Sequence, residues 1–337
     1  LNESGITSPV YLITDDRVFN NYGRVAQRAL HQGGIDADVC ILPSGEQNKS
    51  LEMARCLYDW LSERQAQRSH TLLAMGGGMV GDLVGFVAAT YNRGMGFVQV
   101  PTSLTAMVDA AVGGKTALNL PQGKNLVGAF HQPRLVVSDV ATLLTLPKRE
   151  TMEGWAEAIK HGLIIDSGLF SDFESKAEAI LSLDPNVTTD VIRRSVAIKA
   201  RVVSEDERET SGYRTLLNYG HTIGHALEAA TEYGSLLHGE AVAIGMMGAA
   251  RIGMSLGLTA PEDVERQQAL LHRFDLALTC PEVDLNKVSR AIVLDKKAEG
   301  KVLRWVLLER IGGAVIRDDV PNTLVQDTLQ TLVGRKR

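Results

Sequence analysis

The chain has 337 residues, of which 45% are hydrophobic and 22% charged, and its formal net charge is −5. This composition is typical of a globular enzyme, and the length suffices for two domains. The absence of a basic excess argues against a nucleic-acid partner, and the sequence has no apolar run near the roughly 20 residues that a membrane span needs. Small molecules are therefore the expected partners.

The cysteines Cys40, Cys56 and Cys280 are scattered, with no C-x-x-C pair. An odd and scattered set argues against a disulfide framework, so we expect a reducing, cytoplasmic location. The sequence begins with Leu1 rather than methionine, and no basic-then-apolar signal segment follows. We therefore expect the N-terminus to be incomplete.

The first half of the chain alternates short apolar runs with amphipathic stretches. Residues 50–64 have helical spacing, with apolar side chains on one face. Short buried strands separated by helices predict a parallel sheet that is covered on both faces. We predict an α/β domain over residues 1–148, with strands at residues 10–14, 38–42, 71–75, 97–100 and 135–138.

Helical periodicity dominates from about residue 150 onwards. A late pair of strands is expected at residues 302–308 and 314–316. The second domain, residues 149–337, is therefore predicted to be mainly α-helical, with helices over residues 150–165, 169–181, 186–204, 218–231 and 239–256.

Residues 76–81 (GGGMVG) fit the pattern G-x-G-x-x-G between a strand and a helical stretch. Glycines there let the backbone approach a pyrophosphate, and a helix N-terminus favours its charge. The same residues also suit a tight turn that binds nothing. The acidic residue expected about 20 positions later for the ribose is missing, because residues 84–107 contain no Asp or Glu. Asp15 and Glu46, just after the first two strands, are candidates instead.

Residues 93–125 resemble an anion site, since the stretch contains three basic residues, Arg93, Lys115 and Lys124, but only one acidic residue, Asp109. Both lysines follow glycines, and lysine with exposed backbone N–H groups suits phosphate. The P-loop spacing is not met, and solvated loop lysines are the alternative. We interpret this stretch as phosphate-binding.

His221 and His225 are four residues apart, so they share one face of a helix. His238 follows closely, and Glu157 and Lys160 lie on an earlier predicted helix. A carboxylate and two imidazoles can form a three-ligand zinc site with an open position. Histidines at this spacing also cap or pair without metal, so spacing alone leaves both interpretations open. The H-E-x-x-H motif is absent, so a zinc peptidase is not expected.

Several ordered blocks resemble the 3-dehydroquinate synthase family. Residues 44–52 (SGEQNKSLE) are similar to its P-[DS]-G-E-Q-x-K-S-L-E motif, and residues 76–82 (GGGMVGD) to its nucleotide loop. The resemblance runs in order from about residue 14 to 308, which is far more specific than any single motif. The further blocks are QVPTSL (99–104), VDAAVGGKT (108–116), GKNLVGAF (123–130), AEAIKHG (156–162), LNYGHTIGHALE (217–228) and LHGE (237–240).

The resemblance implies an N-terminal NAD-binding α/β domain, a helical C-terminal domain that binds metal and substrate, and a homodimer. It implies conversion of 3-deoxy-D-arabino-heptulosonate 7-phosphate into 3-dehydroquinate and phosphate, within the shikimate pathway of aromatic amino acid biosynthesis. The reaction proceeds through transient oxidation by NAD, phosphate elimination, reduction and intramolecular aldol closure. Zinc is the implied metal, with cobalt as a substitute.

The resemblance also assigns residues. The implied metal ligands are Glu157, His221 and His238. The implied NAD contacts are Asp15, Ser44, Gly45, Glu46, Gln47, Lys49, Gly77, Gly78, Val80, Gly81, Asp82, Thr102, Ser103, Lys115, Lys124, Thr142, Leu143, Leu144 and Thr145. The implied catalytic and substrate contacts are Asp109, Lys115, Lys124, Asn125, Lys160, Lys199, Arg214, Asn218, His225 and Lys296 or Lys297. Arg93 would reach the phosphate site of the neighbouring subunit.

Three departures from the family pattern stand out. The family carries more residues before Val10, Arg17 replaces an Asn near the adenosine, and residues 206–214 are one residue longer. The alternatives are another sugar-phosphate cyclase (a 2-deoxy-scyllo-inosose or 2-epi-5-epi-valiolone synthase), a metal-dependent polyol-phosphate dehydrogenase and a non-catalytic homologue. A carboxylate distinguishes the heptulosonate from the sugar phosphates of those other cyclases, and Arg214 and Lys199 are its implied partners.

Overall fold

The computed structural model describes residues 1–6, 9–231, 235–280, 283–298 and 303–333, apart from the side chains of residues 2 and 294–298. The chain divides into two compact units, Leu1–Leu146 and Pro147–Arg337. None of the helices within the described residues is both long and apolar enough to cross a membrane.

The first unit is built on a five-stranded parallel sheet. Its strands are β1 (Val10–Asp15), β2 (Ala37–Leu42), β3 (Thr71–Gly76), β4 (Gly96–Pro101) and β7 (Leu135–Val136). Their spatial order is β2-β1-β3-β4-β7, and every neighbouring pair is parallel. The five apolar runs thus form the predicted sheet, although β7 is shorter than expected.

Helices cover both faces of this sheet, because alternate residues of each strand point to opposite sides. Leu12 belongs to one hydrophobic cluster, and Ile13, its neighbour in β1, belongs to another. The helix at residues 51–63 buries the apolar face that its spacing predicts, and Ser50 caps it by accepting the N–H of Met53. The helices are α1 (Asp16–Val18), α2 (Arg24–Gln32), α3 (Leu51–Glu63) and α4 (Gly78–Thr90).

An antiparallel hairpin of β5 (Lys115–Leu120) and β6 (Gly123–Phe130) lies outside the sheet. The sequence does not predict it, because these strands are rich in glycine, asparagine and alanine, which have low β-propensity. Their mutual pairing supplies the missing stability, and Leu118 enters the hydrophobic core beside α3 and α4. Lys115 and Lys124 therefore belong to strands rather than to a loop.

The second unit is mainly helical, as predicted. Its helices are α5 (Lys148–Ile164), α6 (Ser167–Ser175), α7 (Ala177–Leu181), α8 (Pro185–Glu205), α9 (His221–Ala230), α10 (His238–Ser255), α11 (Pro261–Arg273), α12 (Leu285–Ala298) and α13 (Asn322–Leu332). A hairpin of β8 (Trp305–Arg310) and β9 (Gly313–Arg317) matches the late strand pair. Val302, the first residue of that prediction, lies outside the described residues.

Three details differ from the predicted helices. The single helix expected over residues 169–181 is two helices, α6 and α7. The helix expected from residue 218 begins at His221, because Gly220 takes a positive φ of 81° that a continuing helix does not allow. Helices α11, α12 and α13 were not predicted.

Candidate active site

Glu157 and three histidines converge in the second unit. Nε2 of His221 lies 3.5 Å from Oε1 of Glu157, and Nε2 of His238 lies 3.8 Å from the same oxygen. One ring nitrogen from each of His221, His225 and His238 falls within 4.8 Å of the others. Folding therefore brings the three predicted metal ligands together, and His225, predicted to bind substrate, lies beside them.

Close packing of α5, α9 and α10 produces this convergence. A Cβ atom on Gly239 would lie 1.9 Å from the carbonyl oxygen of Glu153, and one on Gly245 would lie 1.9 Å from that of Gly220. Neither position has room for a larger residue. These glycines let the start of α10, with His238, rest against α5 and against the turn that leads into His221.

The Glu157 carboxylate is fully buried, with 0% of its side chain exposed. Its Oε2 accepts a hydrogen bond from Nζ of Lys160, one turn along the same helix and equally buried. Its Oε1 has no hydrogen-bond partner among the described residues. A buried carboxylate oxygen without a donor is costly unless a cation occupies the space in front of it. One carboxylate oxygen and two imidazole nitrogens are a ligand set that zinc accepts, so the residues present fit the metal.

The outer nitrogens of two of these imidazoles also face acceptors. Nδ1 of His221 lies 3.2 Å from the carbonyl oxygen of Tyr219, and Nδ1 of His238 lies 3.2 Å from Oε2 of Glu228. Sequence reasoning assigned no role to Glu228. A carboxylate at i+7 from His221 gave the only signal, and that signal is weak because acids are common on helices.

The predicted carboxylate partners lie in the same unit. Lys199 and Arg214 are both buried. Nη1 of Arg214 donates to the carbonyl of Glu207 at 2.8 Å, and Nε lies 3.6 Å from Oε1 of Glu209. Asn218 is exposed and is the last residue of the short 3-10 helix Tyr213–Asn218, which precedes α9. Lys296 and Lys297 belong to α12, and their side chains lie outside the described residues.

Asp206, which the sequence did not single out, organises the loop that carries Arg214. Its carboxylate accepts the backbone N–H groups of Thr210, Ser211 and Arg214 at 2.8, 3.1 and 3.1 Å. Burial opposes ionisation, but these donors outweigh it and lower the pKa of Asp206 to about 2. The loop thus has an internal anchor that stays ionised at neutral pH.

In the first unit, the predicted NAD contacts follow the carboxyl ends of the parallel strands. These ends share one edge of the sheet, which is where open α/β sheets bind ligands. Asp15 ends β1 and caps α1 by accepting the N–H of Val18. Lys115 and Lys124 are exceptions, because they lie in β5 and β6. The remaining contacts follow β2 (Ser44, Gly45, Glu46, Gln47, Lys49), β3 (Gly77, Gly78, Val80, Gly81, Asp82), β4 (Thr102, Ser103) and β7 (Thr142, Leu143, Leu144, Thr145).

The glycine run forms the turn from β3 into α4, as the motif predicts. A Cβ atom on Gly76 would lie 2.6 Å from the Val80 side chain, and one on Gly81 would lie 2.6 Å from Oε1 of Gln99. A side chain at either position would therefore have to displace Val80 or Gln99. A Cβ on Gly78 would meet only Ala110, at an ordinary 3.6 Å, so packing does not explain that glycine.

A partly buried polar network ties the β5–β6 hairpin to this edge. Nζ of Lys49 donates to Oδ2 of Asp82 and, at 2.6 Å, to Oδ1 of Asn125. Asn119 donates to Oε1 of Glu46 at 2.8 Å. Burial raises the pKa of Asp82 to about 6, against the opposing effect of Lys49.

Two pockets of the first unit contain predicted site residues. Asp82, Lys115 and Asn125 line a pocket of about 450 Å³ together with residues of both hairpin strands. Lys124 lies in β6, and Asp109 lies in the short π-helix Ala106–Ala110. The second pocket, of about 350 Å³, is lined by Arg93 and by Arg68, His131 and Arg134, which are too distant in sequence to suggest a cluster.

Comparison with known proteins adds independent findings. Residues 39–153 match the family described as 3-dehydroquinate synthase N-terminal, and residues 154–298 match 3-dehydroquinate synthase C-terminal. A protein named 3-dehydroquinate synthase from Nostoc punctiforme is 45% identical over 324 residues, which cover 95% of this chain and 89% of the relative.

Several solved structures share the fold, among them two with bound ligands. One is 2-epi-5-epi-valiolone synthase from Streptomyces hygroscopicus subsp. jinggangensis with NAD⁺ and Zn²⁺ bound. It is 27% identical with a TM-score of 0.91, covering 97% of this chain and 91% of that one. The other is 2-deoxy-scyllo-inosose synthase complexed with carbaglucose-6-phosphate, NAD⁺ and Co²⁺. It is 28% identical with a TM-score of 0.87, covering 97% and 92%.

Proposed function

The chain belongs to the 3-dehydroquinate synthase family, and we propose that it converts 3-deoxy-D-arabino-heptulosonate 7-phosphate into 3-dehydroquinate and phosphate. It is an enzyme of that type, and its substrate is a small sugar phosphate. The proposal rests above all on the convergence of His221 and His238 on Oε1 of Glu157, a buried oxygen with no hydrogen-bond donor among the described residues.

We propose that NAD binds at the sheet edge of the first unit and that Glu157, His221 and His238 bind a zinc ion. Two structural relatives were solved with NAD⁺ and with Zn²⁺ or Co²⁺, which supports both assignments. When bound, NAD would accept and return a hydride, and the metal would supply Lewis-acid stabilisation of charge on a substrate oxygen.

Side chains of the protein itself would stabilise charge on the substrate and orient it. Lys160 holds a buried positive charge against Glu157, so it is suited to stabilise negative charge on the substrate oxygen. In the second unit, His225 and Asn218 carry hydrogen-bond donors suited to the substrate phosphate. In the first unit, Lys115 and Asn125 carry such donors at the pocket that they line. Each of these contacts lowers the barrier by orienting the substrate before it reacts.

The substrate carboxylate separates this proposal from the other cyclases. Arg214 and Lys199 are buried cations in the unit that also holds the histidine cluster, and a guanidinium is the best partner for a carboxylate. A sugar phosphate without that group would lack the carboxylate that these two side chains are proposed to bind. The sequence relatives at 42–46% identity carry the name 3-dehydroquinate synthase, whereas the two cyclases reported above are 27–28% identical.

The direct test is phosphate release from the heptulosonate phosphate, with and without a chelator. We expect turnover that the chelator abolishes, that added zinc restores and that releases no net NADH. Glucose 6-phosphate, which lacks the carboxylate, serves as the comparison substrate. Equal turnover of both substrates would contradict the proposal and favour another cyclase, and net NADH release would favour a dehydrogenase.

We also propose that the protein is a cytoplasmic enzyme, because free thiols such as those of its three cysteines persist in the reducing cytoplasm. We further propose that it forms a homodimer in which Arg93 contacts the substrate phosphate in the neighbouring subunit's site. Arg93 is exposed and lines a pocket with two more arginines, an arrangement suited to an anion. Co-expression of Arg93→Ala with Glu157→Gln tests the cross-subunit role. Random pairing should restore about a quarter of wild-type activity, because one site of each hybrid dimer is intact. No restoration would contradict it.

A further inference from the structure

His221 and His238 present the same ring nitrogen to Glu157 and hold the other ring nitrogen against an acceptor. For His221 the acceptor is the backbone carbonyl of Tyr219, and for His238 it is the carboxylate of Glu228. A carbonyl and an ionised carboxylate can only accept, so the shared proton belongs on Nδ1 in both rings. Nε2 then keeps its lone pair towards Glu157, as a metal ligand requires.

The two imidazoles differ in how firmly packing holds them. The His221 side chain is 12% exposed, whereas that of His238 is 31% exposed. The carbonyl that faces His221 belongs to Tyr219, which is fully buried and whose hydroxyl donates to Oε1 of Gln267 at 2.8 Å. His238 has less packing around it, so its orientation depends more on its hydrogen bond to Glu228.

The backbone beneath His238 is already anchored by other residues. Oε2 of Glu153 accepts the N–H of Gly239 at 2.8 Å, and Oε2 of Glu240 accepts the N–H of Leu237 at 2.8 Å. Arg149 holds Glu240 through two hydrogen bonds of 2.6 and 2.7 Å. With the start of α10 fixed, the freedom that remains at His238 is rotation and tautomerism of its ring.

We propose that Glu228 is a positioning residue for the metal ion. It holds His238 with the proton on Nδ1 and with Nε2 directed at Glu157, and its negative charge strengthens the imidazole as a ligand. Its side chain is 5% exposed, and a carboxylate is costly at such a place unless it is hydrogen-bonded. This inference rests on the proposed metal site, and it adds a residue that makes no contact with the ion itself.

The test is the zinc affinity of the metal-free protein, measured by competition with a chelator of known affinity. Glu228→Ala should bind zinc about 10–100-fold more weakly than wild type, because His238 loses its orientation and basicity. Glu228→Gln keeps an acceptor oxygen but not the charge, so its loss should be smaller. Glu153→Gln is the matched control, since its amide oxygen can still accept the N–H of Gly239, and it should bind zinc like wild type.

A second measurement separates positioning from general loss of structure. At saturating cobalt, the visible absorption of Glu228→Ala should shift while the cobalt stoichiometry stays at one, because the ligand field changes although all three ligands remain. Zinc affinity of Glu228→Ala within about 3-fold of wild type would overturn the inference. So would an unchanged cobalt spectrum, or weakening of NAD binding by the same factor as zinc.

The same series distinguishes the inference from the proposed metal site beneath it. If wild type binds zinc and Glu157→Gln does not, the metal site stands whatever Glu228→Ala does. If Glu157→Gln binds zinc as tightly as wild type, the proposed metal site itself is wrong.

Discussion

The sheet edge of the first unit and the histidine cluster of the second unit gather their residues in different ways. At the sheet edge, parallel pairing brings five strand ends together, and the backbone supplies much of the surface. In the histidine cluster, three histidines from α9 and α10 lie together, and two of them face one buried carboxylate oxygen of α5. A site built by backbone should tolerate small side-chain changes, whereas a site built by side chains should fail when one atom is replaced.

The largest effect is expected from Glu157→Gln. The amide retains the size of the side chain but removes the charged oxygen that faces two imidazoles, so bound zinc should be lost. Phosphate release should fall by roughly 1,000-fold or more, as expected when several kcal/mol of electrostatic stabilisation disappear. Zinc content by elemental analysis and a phosphate assay measure both effects.

Glu153→Gln, one turn earlier on α5, is the matched control and should retain zinc and turnover. Stoichiometric zinc together with full activity in Glu157→Gln would show that this carboxylate is not a ligand.

A smaller effect is expected from Arg214→Ala, which removes a buried guanidinium while the histidine cluster stays in place. The value of kcat/KM for the heptulosonate should fall by roughly 30- to 1,000-fold, which corresponds to about 2–4 kcal/mol of transition-state stabilisation, since the substrate carboxylate loses its partner. Zinc and NAD affinities should not change. Arg201→Ala, an exposed arginine on α8, is the control. If Arg214→Ala leaves unchanged the ratio between carboxylated and uncarboxylated substrates, Arg214 does not recognise the carboxylate.

The free energy of unfolding should depend on pH through Asp82, which lies at the sheet edge. Its folded pKa, about 6, lies above the ordinary 3.8 because of burial, so its contribution to stability is present below pH 3.8 and is lost as the pH rises through 6. Asp82→Asn does not titrate there. Relative to this variant, wild type should lose up to about 3 kcal/mol of unfolding free energy between pH 4 and pH 7.

Urea unfolding of both proteins across this pH range measures the difference. A difference that stays constant, or that favours wild type as the pH rises, would show that Lys49 outweighs burial at this site.

The smallest effects compare two glycines of the β3–α4 turn. Gly81→Ala should destabilise the fold by about 1–3 kcal/mol, because its Cβ would lie 2.6 Å from the buried Gln99. Gly78→Ala has room for its Cβ and should leave the melting temperature unchanged, but NAD should bind more weakly if the pyrophosphate approaches the backbone there. Thermal unfolding and NAD titration distinguish the two. Unchanged NAD affinity in Gly78→Ala would place the pyrophosphate elsewhere.

The sequence anticipated the elements whose signal is local. The five sheet strands are short apolar runs, and α3, α5, α8 and α10 show clear helical spacing over their own length. The β5–β6 hairpin was missed because its strands are stabilised by each other rather than by their composition. The predicted start of helix α9, residue 218, was too early, because the sequence alone does not reveal that Gly220 takes a positive φ.

The candidate site residues also fall into two groups, those predicted from the sequence and those found only in the tertiary structure. From sequence alone, the spacing of His221 and His225 left the metal site open, and the resemblance of the ordered blocks supplied the prediction that Glu157, His221 and His238 are metal ligands. Only the tertiary structure brought Glu228 to His238, Asp206 to the loop of Arg214, and Arg68 and Arg134 to Arg93. The physical reason is that periodicity and motifs record neighbours along the chain, whereas a buried carboxylate finds its partner through the packing of helices far apart in sequence.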